Sequence, residues 1–190
     1  MKKKIFVTRR LLAENEDKLK DLLEVTLNKD DKIYTPQEII DGSKNYDGIL
    51  SSVSDPINAE TISKLSSSIK IIANGAVGFG NIDIKAAKEK GIAVTNTPDV
   101  LTDATADIQI LLLLGASRKA YEGRLAAETQ SWKWSWDFLL GKQMSNKRLG
   151  ILGMGRIGRA VAKRAQAFNM EIHSHNRSKL SADLEDGAIY

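Results

Sequence analysis

Gly153-Met154-Gly155-Arg156-Ile157-Gly158 decides the reading of this chain, because of what stands on either side of it. Before it lies a short apolar run, Arg148 to Leu152, with the pattern of a β-strand. After it come a helix-like run from Arg156 to Phe168 and a second apolar stretch from Met170 to His175. Strand, glycine turn, helix, strand is the setting in which G-x-G-x-x-G serves as a dinucleotide-binding fingerprint. In that reading Gly153 makes the tight turn, Gly155 lets the backbone approach a pyrophosphate, and Gly158 lets the helix pack closely on the strand. The anion would sit on the helix N-terminus, where unpaired N–H groups and the helix dipole favour negative charge. The candidate cofactor-binding residues are therefore Gly153, Met154, Gly155, Arg156, Ile157 and Gly158. The alternative is a strand-to-helix turn with a purely structural role.

Upstream, strand and helix signals alternate. Lys4 to Thr8 reads as a strand, and Leu11 to Leu23 as a helix with apolar residues at Leu12, Leu19, Leu22 and Leu23. A weak strand spans Glu24 to Leu27, and a helix begins near Pro36, where proline suits a first turn. Tyr46 to Ser51 reads as a buried strand, Asn58 caps a helix through Leu65, and Ile69 to Ala73 is a β run. Ile82 to Lys90 is helical and ends at Gly91, followed by a strand from Ile92 to Thr95. Such alternation predicts an α/β fold with a parallel sheet covered on both faces. A boundary falls near Pro98, dividing the chain into residues 1–100 and 101–190.

Beyond that boundary Thr102 is a candidate N-cap, and an apolar-rich helix runs to about Leu125. Ile108 to Leu114 is apolar almost all the way round, so that helix is expected to be buried on several sides, against a second domain or subunit. Trp132-Lys133-Trp134-Ser135-Trp136 alternates at period two, which suits an extended segment with one wedged face. It is either a linker anchored by aromatic packing or an inter-subunit contact.

The composition narrows the classes. The 190 residues are 42% hydrophobic, and the formal charge of +4 arises from 28 basic and 24 acidic residues that are interspersed. No basic stripe interleaved with aromatics points to nucleic acid. Lys2-Lys3-Lys4 is followed by too short an apolar run for a signal peptide, and nothing approaches the ~20 apolar residues of a membrane span. The chain has no cysteine, which fits a reducing, cytoplasmic setting. His173 and His175, the only histidines, share one strand face. With no third ligand nearby, packing is favoured over a metal site.

The tip of the second strand bears on the choice of nicotinamide cofactor. An NAD site places Asp or Glu there to accept from the ribose 2′-OH. Here Asn176-Arg177-Ser178 follows the strand, and Glu171 lies at its other end. Arg177 suits a 2′-phosphate, with Asn176 and Ser178 adding hydrogen bonds, so NADP is favoured over NAD; the alternative is an exposed basic turn.

Three motifs, in order along the chain, carry a family resemblance. Asn74 to Asp83 (NGAVGFGNID), Thr95 to Asp107 (TNTPDVLTDATAD) and Gly153 to Gly158 together resemble the D-isomer-specific 2-hydroxyacid dehydrogenases, most closely the glyoxylate and hydroxypyruvate reductases. The resemblance implies a flavodoxin-like substrate domain over residues 1–100, then an incomplete Rossmann domain over 101–190 that binds NAD(P). It implies that Ala76, Val77 and Gly78 present backbone N–H groups to a substrate carboxylate. A glycine-rich turn after a parallel strand can form such an anion nest, though the spacing of Gly75, Gly78 and Gly80 taken alone reads as a structural turn. Thr102 would reach the cofactor, and the helix from Asp103 would form a homodimer surface. An Arg-Ser pair such as Arg177-Ser178 looks like the NADP-using members. In the family an Arg and a Glu–His pair do the polar catalytic work beyond the position of Tyr190. No residue here is therefore assigned a catalytic role, and the chain reads as the N-terminal part of such an enzyme, not expected to reduce keto acids alone. Two other readings stay open: a non-catalytic dinucleotide-binding interaction protein of the corepressor type, and half of a split enzyme.

Overall fold

A computed structural model describes residues 2–190, which divide into two compact units, Met1–Val100 and Leu101–Tyr190. The first unit runs β1 (Lys4–Val7), α1 (Ala13–Leu22), β2 (Glu24–Thr26), α2 (Pro36–Gly42), β3 (Gly48–Ser51), α3 (Ala59–Lys64), β4 (Ile71–Asn74), α4 (Ile84–Glu89) and β5 (Ala93–Thr95). All five strands are parallel, in the order β2-β1-β3-β4-β5. That is the doubly wound, flavodoxin-like order, with its switch point between β1 and β3. β-Branched residues favour the pleated strand conformation and fill its buried faces. Ile49 and Ile72 pair across β3 and β4 and join Ile39, Ile57, Ile62 and Ile82 in one core.

Local chemistry sets the helix limits. Thr35 and Glu38 form a reciprocal capping box ahead of Pro36, so two orphan N–H groups are satisfied at once. Asn58 and Asp83 accept from the third residue of α3 and α4, at 2.9 Å each. At the far end of α3, Lys90 Nζ donates to the carbonyls of Ile62, Ser63 and Leu65 at 2.7, 2.7 and 2.6 Å. The leucine stripe of α1 packs less than its pattern predicts, for α1 has no buried residue. Leu12 precedes the helix, and Leu22 is rotated away from the half-buried row of Glu16, Leu19 and Leu23, as the helical period requires.

The second unit runs α5 (Thr102–Ser117), α6 (Ala120–Thr129), β6 (Arg148–Leu152), α7 (Arg156–Gln166), β7 (Glu171–His175) and α8 (Ala182–Glu185). β6 and β7 are parallel, in register from Arg148 opposite Glu171 to Leu152 opposite His175. Ile189 adds a parallel bridge to His173. The strand–turn–helix–strand reading of the fingerprint thus holds to within two residues at each boundary.

Two expectations for this unit need correction. Thr102 does not cap α5: it is the first helical residue, and Leu101 occupies the cap with no side-chain hydrogen bond. The single helix expected to about Leu125 is broken after Ser117, where Lys119 takes a left-handed φ of 53°. The cause lies far along the chain. Lys142 N–H donates to the Ser117 carbonyl at 2.7 Å, and Gly141 passes so close that a Cβ there would lie 2.6 Å from the same oxygen. A carbonyl taken by Lys142 gives little to a continuing helix. Within this unit α5 is packed along one side. Ile110, Leu113 and Leu114 lie against the core of Met154, Ala162, Ala165, Met170 and Ile172, whereas Ile108, Leu111 and Leu112 are 54, 61 and 65% exposed.

The tryptophans pair locally instead of forming one wedge. Trp132 stacks on Phe138 at 5.8 Å between ring centres, and Trp134 meets Trp136 edge-on at 5.0 Å, as a turn at 136–139 brings the segment back on itself. Among the described residues no helix is long and apolar enough to cross a membrane.

Candidate functional site: two glycine turns

Gly153 follows β6 with φ 98°, a left-handed conformation that glycine alone adopts without strain. Its N–H donates to the His175 carbonyl at 2.9 Å, and the next N–H, of Met154, donates to Asn176 Oδ1 at 2.7 Å. The turn is thereby tied to the tip of β7 while the Met154 side chain is buried in the core. A Cβ on Gly158 would lie 2.2 Å from the Gly153 carbonyl oxygen and 3.3 Å from Ile151 Cγ2, so α7 can approach β6 only with glycine at that position. Gly155 differs. Its backbone is extended and a Cβ there would meet nothing within 4 Å. The protein's own packing leaves that side of the turn open.

The first bond of α7 runs from Arg159 N–H to the Gly155 carbonyl at 3.0 Å, so the N–H groups of Ile157 and Gly158 point out of the helix end. Beside them a cavity of about 390 Å³ is lined by Leu152, Gly153, His175, Asn176 and Arg177. None of these carries a carboxylate. Arg177 and Ser178 are exposed. This arrangement fits a dinucleotide: donors at a helix end, an open glycine for the pyrophosphate, and a guanidinium at the strand tip.

The turn after β4 is built differently. Three donors hold its carbonyls. Thr97 N–H donates to Ala76 O at 2.8 Å, Asn96 Nδ2 to Val77 O at 2.8 Å and Asn74 Nδ2 to Gly78 O at 2.9 Å. Ala76 N–H turns back to the Asn74 carbonyl at 2.8 Å. Among the described residues no acceptor meets the N–H groups of Val77 and Gly78. Neither residue has a positive φ, so the alternating-handed nest that the glycine spacing allows does not form. The Asn74 side chain closes the turn without a left-handed residue.

Asn74 is in turn fixed by Ser51 Oγ, which donates to its Oδ1 at 3.1 Å. Asn81 donates to the carbonyls of Ser52 and Asp55 at 3.0 and 3.1 Å. These asparagines are the residues that the sequence reading left unassigned. The signal available was Asn74, Asn81 and Asn96 flanking one glycine turn, each side chain offering both donor and acceptor.

The β1/β3 switch point, the usual crevice for a ligand in such a sheet, is filled by the chain's own side chains. Arg9 grips Asp31 through Nε and Nη2 at 2.8 and 2.9 Å and reaches Ser54 Oγ at 2.8 Å. The guanidinium holds the Asp31 carboxyl well below the usual carboxylate range. Thr8 Oγ1 donates to Asp55 at 2.5 Å. In the second unit, His173 pairs with Glu171, and that contact lowers the Glu171 pKa. His175 lies 5.8 Å from the Tyr190 ring. Among the described residues no group of three His, Cys, Asp or Glu residues could hold a metal. Thr102 sits half-buried in the first turn of α5.

The profile of the D-isomer specific 2-hydroxyacid dehydrogenase catalytic domain matches residues 5–178. A glyoxylate reductase of Korarchaeum cryptofilum is 41% identical over 174 residues, 90% of this chain and 52% of its own length. A glycerate dehydrogenase of Hyphomicrobium methylovorum is 38% identical over 97% of this chain and 58% of its own. The crystal structure of a glyoxylate reductase from Paecilomyes thermophila superposes with a TM-score of 0.82 at 36% identity, over 100% of this chain and 60% of that one. The chain thus spans little more than half the length of the relatives it matches.

Proposed function

Since the chain belongs to the D-isomer specific 2-hydroxyacid dehydrogenase family, we propose that it contributes to NAD(P)H-dependent reduction of a small 2-keto acid of the glyoxylate or hydroxypyruvate kind to the D-2-hydroxy acid. In this reading residues 1–100 bind the substrate and residues 101–190 bind the dinucleotide, in the cytoplasm. When bound, the reduced nicotinamide supplies the hydride. The residues of this chain do the holding. Gly153, Met154, Gly155, Arg156, Ile157 and Gly158 cradle the pyrophosphate at the start of α7. Asn176, Arg177 and Ser178 receive the ribose end, and Thr102 supports the cofactor from the first turn of α5. The unengaged N–H groups of Val77 and Gly78, next to Ala76, take the substrate carboxylate. No side chain among residues 2–190 is assigned the proton-transfer step. His173 is committed to Glu171, and His175 neighbours the proposed adenosine side. The uncovered face of α5, with Ile108, Leu111 and Leu112, serves as a homodimer surface.

The observation that carries this reading is the open Gly155 beside a cavity free of carboxylates. A carboxylate at the strand tip would repel a 2′-phosphate, whereas Arg177 attracts one, so NADPH is favoured over NADH. Titrating the chain with each nucleotide, followed by nucleotide fluorescence, tests the proposal. NADPH should bind more tightly than NADH by about tenfold or more, the worth of one charge-assisted pair. Binding of neither nucleotide would remove the dinucleotide reading altogether.

A further inference from the structure

A trans peptide carries its C=O and N–H on opposite sides, so whatever holds the carbonyl also aims the amide. In the turn after β4, Thr97 N–H takes the Ala76 carbonyl and Asn96 Nδ2 takes the Val77 carbonyl, each at 2.8 Å. The N–H groups of these same two peptides are those of Val77 and Gly78. Both carbonyls are thus turned toward residues 96–97, and both N–H groups away from them. Thr97 acts through its backbone, which any residue but proline supplies. Asn96 acts through its side chain, and only the Nδ2 end can face a carbonyl oxygen. Gly78 is exposed, and a Cβ there would meet nothing within 4 Å. Packing therefore leaves the direction of its N–H to the Asn96 bond.

We propose that Asn96 is a positioning residue of the substrate site, whose side-chain amide aims the Gly78 N–H so that it pairs with the Val77 N–H on one carboxylate. The inference rests on the reading above that these two N–H groups take the carboxylate of a 2-keto acid. Asn96 acts through the 77–78 peptide and not on the substrate itself. An aspartate at 96 has the same shape, yet when ionised it turns an acceptor toward the Val77 oxygen. Two acceptors repel, the peptide rotates, and the Gly78 N–H is lost from the pair. Lys88 lines the same cavity as Asn96 and favours the ionised aspartate, so this repulsion is complete at neutral pH. Once protonated, the aspartate has an O–H to donate and holds the peptide as asparagine does. Alanine removes the hold without repelling. The Val77 N–H, aimed through Thr97, keeps its direction in every case.

The test uses Asn96→Asp and Asn96→Ala in the whole chain, with oxamate, an unreactive 2-oxo monocarboxylate, as the probe. Without ligand, residual dipolar couplings of the backbone amides read the direction of each N–H. With oxamate, the chemical-shift changes of the Val77 and Gly78 amides give its affinity. At neutral pH the Gly78 coupling should depart from its wild-type value in both variants. Val77 and the amides of β3 and β4 should keep theirs, so a misfolded variant is recognised. Oxamate should bind about fivefold more weakly to Asn96→Ala and at least about tenfold more weakly to Asn96→Asp. Lowering the pH through about 4, the ordinary aspartate value, should restore the Gly78 coupling and the affinity in Asn96→Asp but not in Asn96→Ala. Lost stability alone would give no such return. An unchanged Gly78 coupling in both variants, or wild-type oxamate affinity in both, would overturn the positioning role. A wild-type chain in which oxamate moves neither amide would instead remove the carboxylate reading, and the inference with it.

Discussion

The two glycine turns, at 75–80 and at 153–158, look alike as text and are specified by opposite means. In the second the glycines are demanded by space and by φ. Gly153 is left-handed at φ 98°, and a Cβ on Gly158 would lie 2.2 Å from a backbone oxygen. In the first, Cβ atoms on Gly78 and Gly80 would meet nothing within 4 Å, and neither φ is positive. That turn is shaped by side chains that are present, Asn74 and Asn96, each donating to a loop carbonyl. A turn can thus be made specific by atoms that are missing or by hydrogen bonds that are made, and mutation separates the two.

The largest effect is expected for Gly158→Ala. The new methyl must push α7 from β6, which destabilises the second unit by about 3 kcal/mol and abolishes nucleotide binding; urea unfolding and NADPH titration check both. Normal binding by this variant would break the contrast outright. Asn74→Ala comes next. It strips partners from Gly78 O, Ser51 Oγ and Asn81 in a buried setting, costing about 2 kcal/mol in thermal unfolding of the first unit. Gly78→Ala should be nearly silent, within about 0.5 kcal/mol either way, since the open side of its turn receives the methyl; a large loss would show that the asparagines do not suffice.

The mildest effect concerns acid. Glu38 has its pKa lowered to about 2 from 4.5, first by Lys32 and then by the Thr35 cap. A depressed folded-state pKa contributes stability that is complete above the ordinary value of 4.5 and disappears as pH falls toward 2, because the unfolded chain binds the proton first. Glu38→Gln should therefore flatten the melting temperature of the first unit between those pH values without altering the second. An unchanged slope would remove Glu38 from the polar bracing of the first unit.

These expectations also mark what could be read from the residues alone. The fingerprint was legible because its determinants are local: glycine spacing, a flanking β run and a helical period lie within a single βαβ unit, Arg148 to His175. The parallel α/β character followed from the same alternation upstream. The asparagine bracing of the first turn was not legible, since Asn74 matters through Ser51 on the neighbouring strand and through the path of the chain to Gly78. Nor was the break after Ser117, which is imposed by Gly141 and Lys142 across a long loop. Apolar pattern located α5 well but could not say which of its faces this chain covers. Leu12 and Leu22 are as apolar in sequence as Leu19 and Leu23, and periodicity reports amphipathicity, not which neighbours exist.

Each unit is drawn from one uninterrupted stretch, Met1–Val100 and then Leu101–Tyr190, and this orders events at the ribosome. At roughly 5–20 residues per second the first stretch takes seconds to emerge, longer than small mixed α/β domains need to fold. All five strands of the first sheet are then available for pairing before Gly153 has been translated. Nascent chains stalled beyond Val100 should accordingly resist brief proteolysis over residues 4–95, and their digestion would show that this sheet forms only once the second unit is present.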